Sequence, residues 1–403
     1  MTVGRLLLLT EYYSPSVGRT SGLIEDLVES LTAAGHDVTV VCSAQRYRAG
    51  AQCPVEEVPA GVRVVRCRTT SLSRSSSLGR LLNWIVFMAG AERQLRRRVA
   101  SADALLAVIN PIPLHWLAAT ARSRHSVRFV ALIWDLLPDS AVALGIMPGR
   151  SPLAVLARRL NRSAFRSIDT VVVPGSDMKQ HMVQAYGVAE EKVTVISNWS
   201  DISRLYLDKD LSLPRTLAPE QPFRILAAGN MGRAQDIGGL KRMAAMIEAE
   251  AGMSLQVVGN GPAIAPLCSW VKEQHLQHTA ILDFCGGNTF GRILSTASCG
   301  FVSLDPRMLG LGVPSRTYTY LCAGLPVLAM VPASSEVALQ INQTGAGLVA
   351  VDTTAAMDFL RQLKHDPGLY TRMSATALSA AQGPLSRCQA VRQYEQVLFG
   401  HES

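Results

Sequence analysis

Residues Gly310 to Gly324 read GLGVPSRTYTYLCAG, and the run LPVLAM follows directly. Pro314 fixes φ ahead of a helix and has no N–H to lose there. Ser315 offers a hydroxyl near a helix start, where the first backbone N–H groups point outward without partners. Arg316 adds a permanent cation at the same end, and such a corner attracts anions. Gly324 suits the left-handed cap at a helix end, with Pro326 just beyond it. LPVLAM then reads as a buried strand. The stretch is either an ordinary helix start ahead of a core strand or a turn that handles phosphate and nucleoside. The rest of the chain decides between these readings.

A chain of 403 residues exceeds the size at which single cores stop growing, so two domains are expected. Apolar residues make up 48% and aromatics only 6%, a balance that suits buried parallel strands in an α/β protein. Eight cysteines are scattered, with no CxxC and no Cys/His cluster of zinc spacing. No metal site is expected, and the setting is a reduced cytoplasm. RLLLLTEYY near the start is too short for a signal peptide. The apolar run Leu81 to Ala91 falls well short of the roughly 20 residues of a spanning helix. The net charge of +8 lies wholly in the first half, where residues 1–205 hold 24 Lys/Arg against 16 Asp/Glu. A basic half faces nucleic acid, anionic lipid or an anionic substrate. Aromatics are not interleaved with the arginines as base stacking requires, which argues against nucleic acid.

Strand and helix patterns alternate from the start. Arg5–Leu9 is an apolar strand, and Leu23, Ile24, Leu27, Val28 and Leu31 have helical spacing. The loop between them, TEYYSPSVGRTSG, lacks the GxGxxG of dinucleotide binding. Its Gly18 either serves a plain turn or lets a ligand approach the backbone. Leu81 to Arg98 is read as an amphipathic helix ending in Arg93, Arg96, Arg97 and Arg98. This basic end is either solvated or in contact with anionic lipid headgroups. RFVALIWDLLPDSAVALG runs from a strand into Asp135 and Asp139. Each carboxylate either caps the next helix or stands where α/β enzymes place reacting groups. Ala154–Ser167 is expected as a helix with Arg158, Arg159, Arg162 and Arg166 on one face. DKDLSLPRTLAPEQ is aperiodic and Pro-rich, the character of a linker. The alternation then restarts with FRILAAG. The expected domains are residues 1–206, a linker over 207–222, a second α/β domain over 223–385, and a C-terminal helix over 386–403 packing back on the first domain.

In the second half, GNMGRAQ follows a strand and places Arg233 beside Gly229 and Gly232. Backbone amides and one guanidinium there suit a diphosphate. GxxGR is weak alone. With VPSR it forms a pair of loops that both follow strands, so both belong on the carboxyl edge of one sheet.

At this point the chain resembles a family-4 retaining glycosyltransferase of GT-B fold, in which two doubly wound Rossmann-like domains face a cleft. It is closest in pattern to the colanic-acid, capsule and O-antigen subgroup that transfers N-acetylamino sugars. TEYYSPSVG, IWDLLPDSAVALG, VISNWSD, AAGNMGRAQDI, VVGNGP, GVPSRTYTYLCAGLPVLA and SSEVALQI carry the resemblance in order over nearly the whole chain. The resemblance implies a UDP-sugar donor on the C-terminal domain, and on the N-terminal domain an acceptor that is lipid-linked through polyprenyl phosphate or another glycan. It implies reaction with retention, no metal and no cofactor beyond the donor. Arg233 and Arg316 are the expected cations for the leaving diphosphate. Asp135 is expected near the acceptor hydroxyl or donor sugar, as base or positioning group. The expected donor-binding set is Gly18, Asn230, Gly232, Gln235, Gly259, Gly261, Pro314, Ser315, Thr317, Thr319 and Glu336. The paired glutamates of many family members are replaced here by Leu311 and Thr319, leaving Thr319, Thr317 or Glu336 for the ribose. The lysine often found just after the phosphate arginine is also missing, and Arg316 is the expected replacement. A lipid acceptor implies a place at the inner face of the cell membrane. The alternatives are a tailoring transferase acting on a soluble acceptor and a non-catalytic nucleotide-sugar-binding protein.

Overall fold

The computed structural model describes residues 3–14, 19–44, 56–57, 61–70, 77–109, 113–122, 124–200, 213–217 and 221–400. Helices α1 and α2 and strand β3 include side chains outside that description. The chain divides into two compact units, Met1–Ser197 with Ala390–Ser403, and Asn198–Gln389.

The first unit runs β1 (Arg5–Leu9), α1 (Arg19–Ala33), β2 (Asp37–Ser43), β3 (Glu56–Glu57), β4 (Arg63–Cys67), α2 (Ser77–Arg98), β5 (Ala104–Ile109) and α3 (Leu114–Arg122). It continues with β6 (Arg128–Ile133), α4 (Asp139–Ala143), α5 (Pro152–Arg166), β7 (Thr170–Val173), α6 (Ser176–Tyr186) and β8 (Val193–Val195). The eight strands take the order β3-β4-β2-β1-β5-β6-β7-β8, parallel except for the short β3. The continuous apolar run of β1 is explained by this arrangement. With helices on both faces, every residue of the strand after Arg5 is buried. The periodic residues Leu23, Ile24, Leu27, Val28 and Leu31 of α1 are all buried, as their spacing predicts. Connections β4→β5, β5→β6 and β6→β7 all move the same way across the sheet. Right-handed crossovers therefore set α2, α3 and α5 on one face and α1 on the other. The packing of α3 against both α2 and α5 agrees.

The second unit runs β9 (Phe223–Asn230), α7 (Ile237–Glu248), β10 (Met253–Asn260), α8 (Ile264–Glu273), β11 (Thr279–Asp283), α9 (Gly287–Thr296) and β12 (Cys299–Ser303). Then follow α10 (Arg316–Cys322), β13 (Val327–Met330), α11 (Glu336–Thr344), β14 (Gly347–Val349), α12 (Thr353–His365) and α13 (Pro367–Gln382), and the chain closes with α14 (Arg387–Phe399), which belongs to the first unit from Ala390 on. The six strands of the second unit are all parallel in the order β11-β10-β9-β12-β13-β14. The order reverses between β9 and β12, so this sheet has its switch point there.

Local sequence sets most boundaries. Asp236, Asp352 and Asp366 cap α7, α12 and α13 by accepting backbone N–H bonds, and Gly324 ends the α10 turn at φ 65°. Helix α2 starts at Ser77, four residues before the expected Leu81, and α7 starts at Ile237 behind its aspartate cap. The aperiodic stretch expected as a linker is described only in part. Within it Arg215 is docked on the second unit. Its N–H donates to Ser374 Oγ at 2.7 Å, and its guanidinium donates to the carbonyls of Leu294, Ser295 and Ala297 at the end of α9. The end of α14 clusters with the first unit, where Phe399 stacks on His36 at 4.3 Å between ring centroids.

Candidate functional site

The loops after β9 and β12 flank the switch point of the second sheet. The two strands pair only through Ile225–Ala227 and Cys299–Phe301, and beyond that the ladder opens. Tyr320 of α10 holds the fork, its hydroxyl accepting from Ala228 N–H at 2.8 Å. Gly300 makes room for this crossing, because a Cβ there would stand 2.3 Å from the Tyr320 ring. Past the fork the two loops are joined by Asp305 N–H donating to Ala234 C=O at 2.9 Å.

Arg316 opens α10 one turn before Tyr320. Its guanidinium lies over the Phe290 ring, 4.7 Å from the centroid, and its Cγ is 3.8 Å from where a Cβ of Gly229 would be. It is half-buried and makes no hydrogen bond or ion pair with any described residue. Burial lowers its pKa from the ordinary arginine value, with only the Tyr320 and Cys285 groups opposing. A desolvated cation without a carboxylate is costly unless an anion completes it. Arg233 stands on the facing loop, exposed, and likewise without a protein partner among the described residues.

Inside the β9 loop, Gly232 N–H donates to Gln235 Oε1 at 2.8 Å, and Asp236 caps α7 at 2.8 Å through Gly239 N–H. Gln235 therefore spends its amide oxygen on shaping the loop. Gly259 and Gly261, expected to admit a ligand, have a nearer reason to be glycine. A Cβ on Gly259 would sit 1.9 Å from Gly229 C=O, and one on Gly261 2.3 Å from Asn230 Oδ1. They let the β9 and β10 ends touch, and Met231 N–H reaches Asn260 C=O at 2.6 Å.

All three ribose candidates, Thr317, Thr319 and Glu336, are buried. Thr317 is fully buried and its hydroxyl donates to Pro314 C=O at 2.9 Å, so it closes its own turn. Thr319 is buried as well, on the covered side of α10. Both disagree with an open ribose-binding role, because a seven-residue helix packed on the sheet turns these positions inward. Glu336 opens α11, where its carboxylate accepts from Gln340 Nε2 at 2.8 Å. Gln340 also contacts the Tyr318 hydroxyl at 3.2 Å. Pro314 and Ser315 are partly exposed, and the Ser315 hydroxyl caps nothing.

In the first unit, Asp135 follows β6 at the carboxyl edge of its sheet. Burial pushes its carboxyl pKa up, against hydrogen bonds from the Ser140 side chain and the Leu136 N–H. Asp139 does not cap α4, whose N-cap is Pro138. It is instead a buried hub. It accepts from Arg158 Nε at 2.7 Å and from Tyr186 OH at 2.6 Å, and lies 3.0 Å from His181 Nε2. Two residues back, Asn161 Nδ2 donates to Leu137 C=O at 2.8 Å. The segment carrying Asp135 is thus tied to α5 and α6. The arginines of α5 do not share one face. Arg158 turns inward to Asp139 and Arg162 reaches Ala185 C=O, while Arg159 and Arg166 stand exposed. Gly18 lies outside the described residues. No group of three or more His, Cys, Asp or Glu among the described residues could hold a metal ion.

Comparison with known proteins bears on the fold and the reaction class. Residues 23–199 match the family described as "Glycosyl transferase 4-like domain". The chain is 25% identical over 358 residues to the "Probable glycosyltransferase WbjE" of Pseudomonas aeruginosa, covering 86% of this chain and 85% of that protein. It is 24% identical over 409 residues to the "Putative colanic acid biosynthesis glycosyl transferase WcaI" of Escherichia coli (strain K12), covering 97% and 98%. Among solved structures it is similar to sucrose-phosphate synthase of Thermosynechococcus elongatus, with a TM-score of 0.73, 14% identity and coverage of 98% of both chains. It is also similar to HepE of Anabaena, solved with UDP and glucose, with a TM-score of 0.70, 14% identity and coverage of 99% and 100%. Residues 23–199 match a glycosyltransferase 4-like domain, in a chain whose two α/β units share the fold of GT-B glycosyltransferases.

Proposed function

We propose that this chain is a retaining glycosyltransferase. It moves a sugar, of N-acetylhexosamine type, from a UDP-sugar to a lipid-linked or other glycan acceptor in polysaccharide assembly. One observation carries the donor half of this reading. Arg316 and Arg233, two cations without a hydrogen-bond or ion-pair partner among the described residues, stand on the loops that flank the switch point of the second sheet. Ligands of open α/β sheets bind at that crevice, and two guanidiniums there suit a diphosphate. The names of WbjE and WcaI and the UDP complex of HepE support the reaction class and the nucleotide.

In the proposed reaction the bond between the anomeric carbon and the β-phosphate oxygen breaks, and its electron pair stays on UDP. The acceptor oxygen bonds to the anomeric carbon and its proton passes to the departing phosphate oxygen. The cations stabilise charge that develops only as the bond breaks, which lowers the barrier rather than merely binding donor. Asp135 serves the acceptor side as base or positioning group, its carboxyl pushed up from the ordinary carboxylate range by burial. The reaction runs without metal. UDP release from a panel of UDP-sugars in the presence of EDTA tests the reading. Turnover that persists with EDTA and falls by about 100-fold or more in Arg233→Ala supports it. Absence of transfer from every UDP-sugar, with or without divalent cation, overturns it.

A further inference from the structure

Residues 213–217, the described part of the Pro-rich stretch, lie on the surface of the second unit. Leu213, Pro214 and Thr216 are exposed, while Leu217 packs against the core. Arg215 supplies the polar anchors. Its N–H donates to Ser374 Oγ of α13 at 2.7 Å. Its guanidinium donates to the carbonyls of Ala297 at 2.7 Å, Ser295 at 2.8 Å and Leu294 at 3.0 Å. These carbonyls close α9, where a helix leaves its last acceptors without partners and its dipole favours a cation. Burial lowers the Arg215 pKa, with the Tyr370 hydroxyl opposing.

Both helices that form the arginine stack end at this anchor. Phe290, whose ring lies 4.7 Å from the Arg316 guanidinium, stands on α9 two turns before Ala297. Ser374 reaches the other helix. A Cβ on Gly324, which closes the α10 turn, would stand 3.2 Å from Ser374 Oγ, and α10 begins with Arg316. Phe290 and Leu294 of α9, Tyr320 and Leu321 of α10 and Ala377 of α13 belong to one packed cluster. Such an interior has few voids and transmits a shift rather than absorbing it. A helix cap accounts for the three carbonyl bonds. The bond to Ser374 adds the support of α10 to the same residue.

We propose that Arg215 is a positioning residue for the nucleotide, an inference that rests on the donor reading given above. Docked, it holds the far ends of α9 and α10, so that Phe290 and Arg316 are set for the diphosphate at the near ends. Released, it frees both helix ends and loosens the stack. UDP and the docked segment then favour each other, because coupling between two sites is reciprocal. The affinity of the nucleotide site is thereby set in part by the stretch expected as the linker.

Hydrogen exchange of the full chain, with and without saturating UDP, tests this coupling in the unaltered protein. Peptides covering 213–217 and 287–297 are expected to exchange more slowly with UDP bound. Calorimetric titration of UDP then reads the variants. Arg215→Ala is expected to weaken UDP binding by roughly fivefold or more. Arg215→Lys keeps the charge without the fork and should lose less. In an Arg316→Ala background, Arg215→Ala is expected to add no further loss, since its effect passes through that side chain. Ser374→Ala should weaken UDP binding in the same direction, and it decides the matter if Arg215→Ala does not fold. A parent that binds UDP while 213–217 exchanges at an unchanged rate overturns the proposal and leaves the donor reading standing. So does UDP affinity of parent strength in folded Arg215→Ala. A full further loss in the Arg316→Ala background overturns it in favour of a role in the fold alone. A parent that binds no UDP overturns the donor reading, and this coupling with it.

Discussion

Arg316 is held at the fork between β9 and β12 by chemistry one helical turn away. The Tyr320 hydroxyl accepts from Ala228 N–H, and Gly300 gives the ring its passage across β12. Tyr320→Phe would leave a buried N–H without its acceptor, at a cost of about 1–3 kcal/mol. Urea unfolding should show that loss, and UDP affinity should fall with it because the turn carrying Arg316 is freed. Arg316→Ala should cost less, about 1 kcal/mol, since that side chain makes no hydrogen bond or ion pair among the described residues and loses only its stacking on Phe290. Equal stability of Tyr320→Phe and parent would show that the fork is held by other contacts. At Gly300 itself, alanine must displace a buried aromatic ring, and a loss of about 1–3 kcal/mol is expected from overpacking. These residues were not legible in sequence. Tyr320 reads as one more apolar helix position, and its partner lies 92 residues away.

At the scale of elements, α4, α5 and α6 are joined at Asp139. Burial alone would push this carboxyl up, but bonds from His181, Tyr186 and Arg158 bring its pKa down to about 2. A carboxyl depressed in the folded state stabilises fully above its unfolded value near 4, and that stability drains away as pH falls toward 2. His115, buried against Asn161, is pushed down to about 3 by desolvation. Its neutral form is the folded one, so stability falls from about pH 6.5 downward as the unfolded chain takes up the proton. Urea midpoints measured from pH 7 to pH 3 should therefore decline in two stages. Asp139→Asn should be less stable by about 3 kcal/mol at pH 7 and lack the stage below pH 4. A variant with the parent's full acid profile would contradict the hub. The periodicity of α1 was readable because its signal lies within four residues. The arginines of α5 were misread as one face for the same reason. Local spacing places Arg158 near Arg162, but only Asp139, 19 residues earlier, turns Arg158 inward.

For the whole molecule, the two doubly wound units follow from alternating apolar strands and periodic helices, which the chain displays openly. The loops GNMGRAQ and VPSR were readable as turns that follow strands on one sheet edge. Their place on either side of a switch point was not, because strand order is set by which strands pair in space. The missing glutamate pair left the ribose contact open in sequence, and Thr317, Thr319 and Glu336 are all buried. The central claim is that a diphosphate completes the two arginines at the β9/β12 fork. Calorimetric titration of UDP into the full chain tests it most directly. The account predicts saturable binding to the parent, weakened about 10- to 100-fold in Arg316→Ala and again in Arg233→Ala, the loss of one charge-assisted contact each. UDP binding of parent strength in both variants would contradict it.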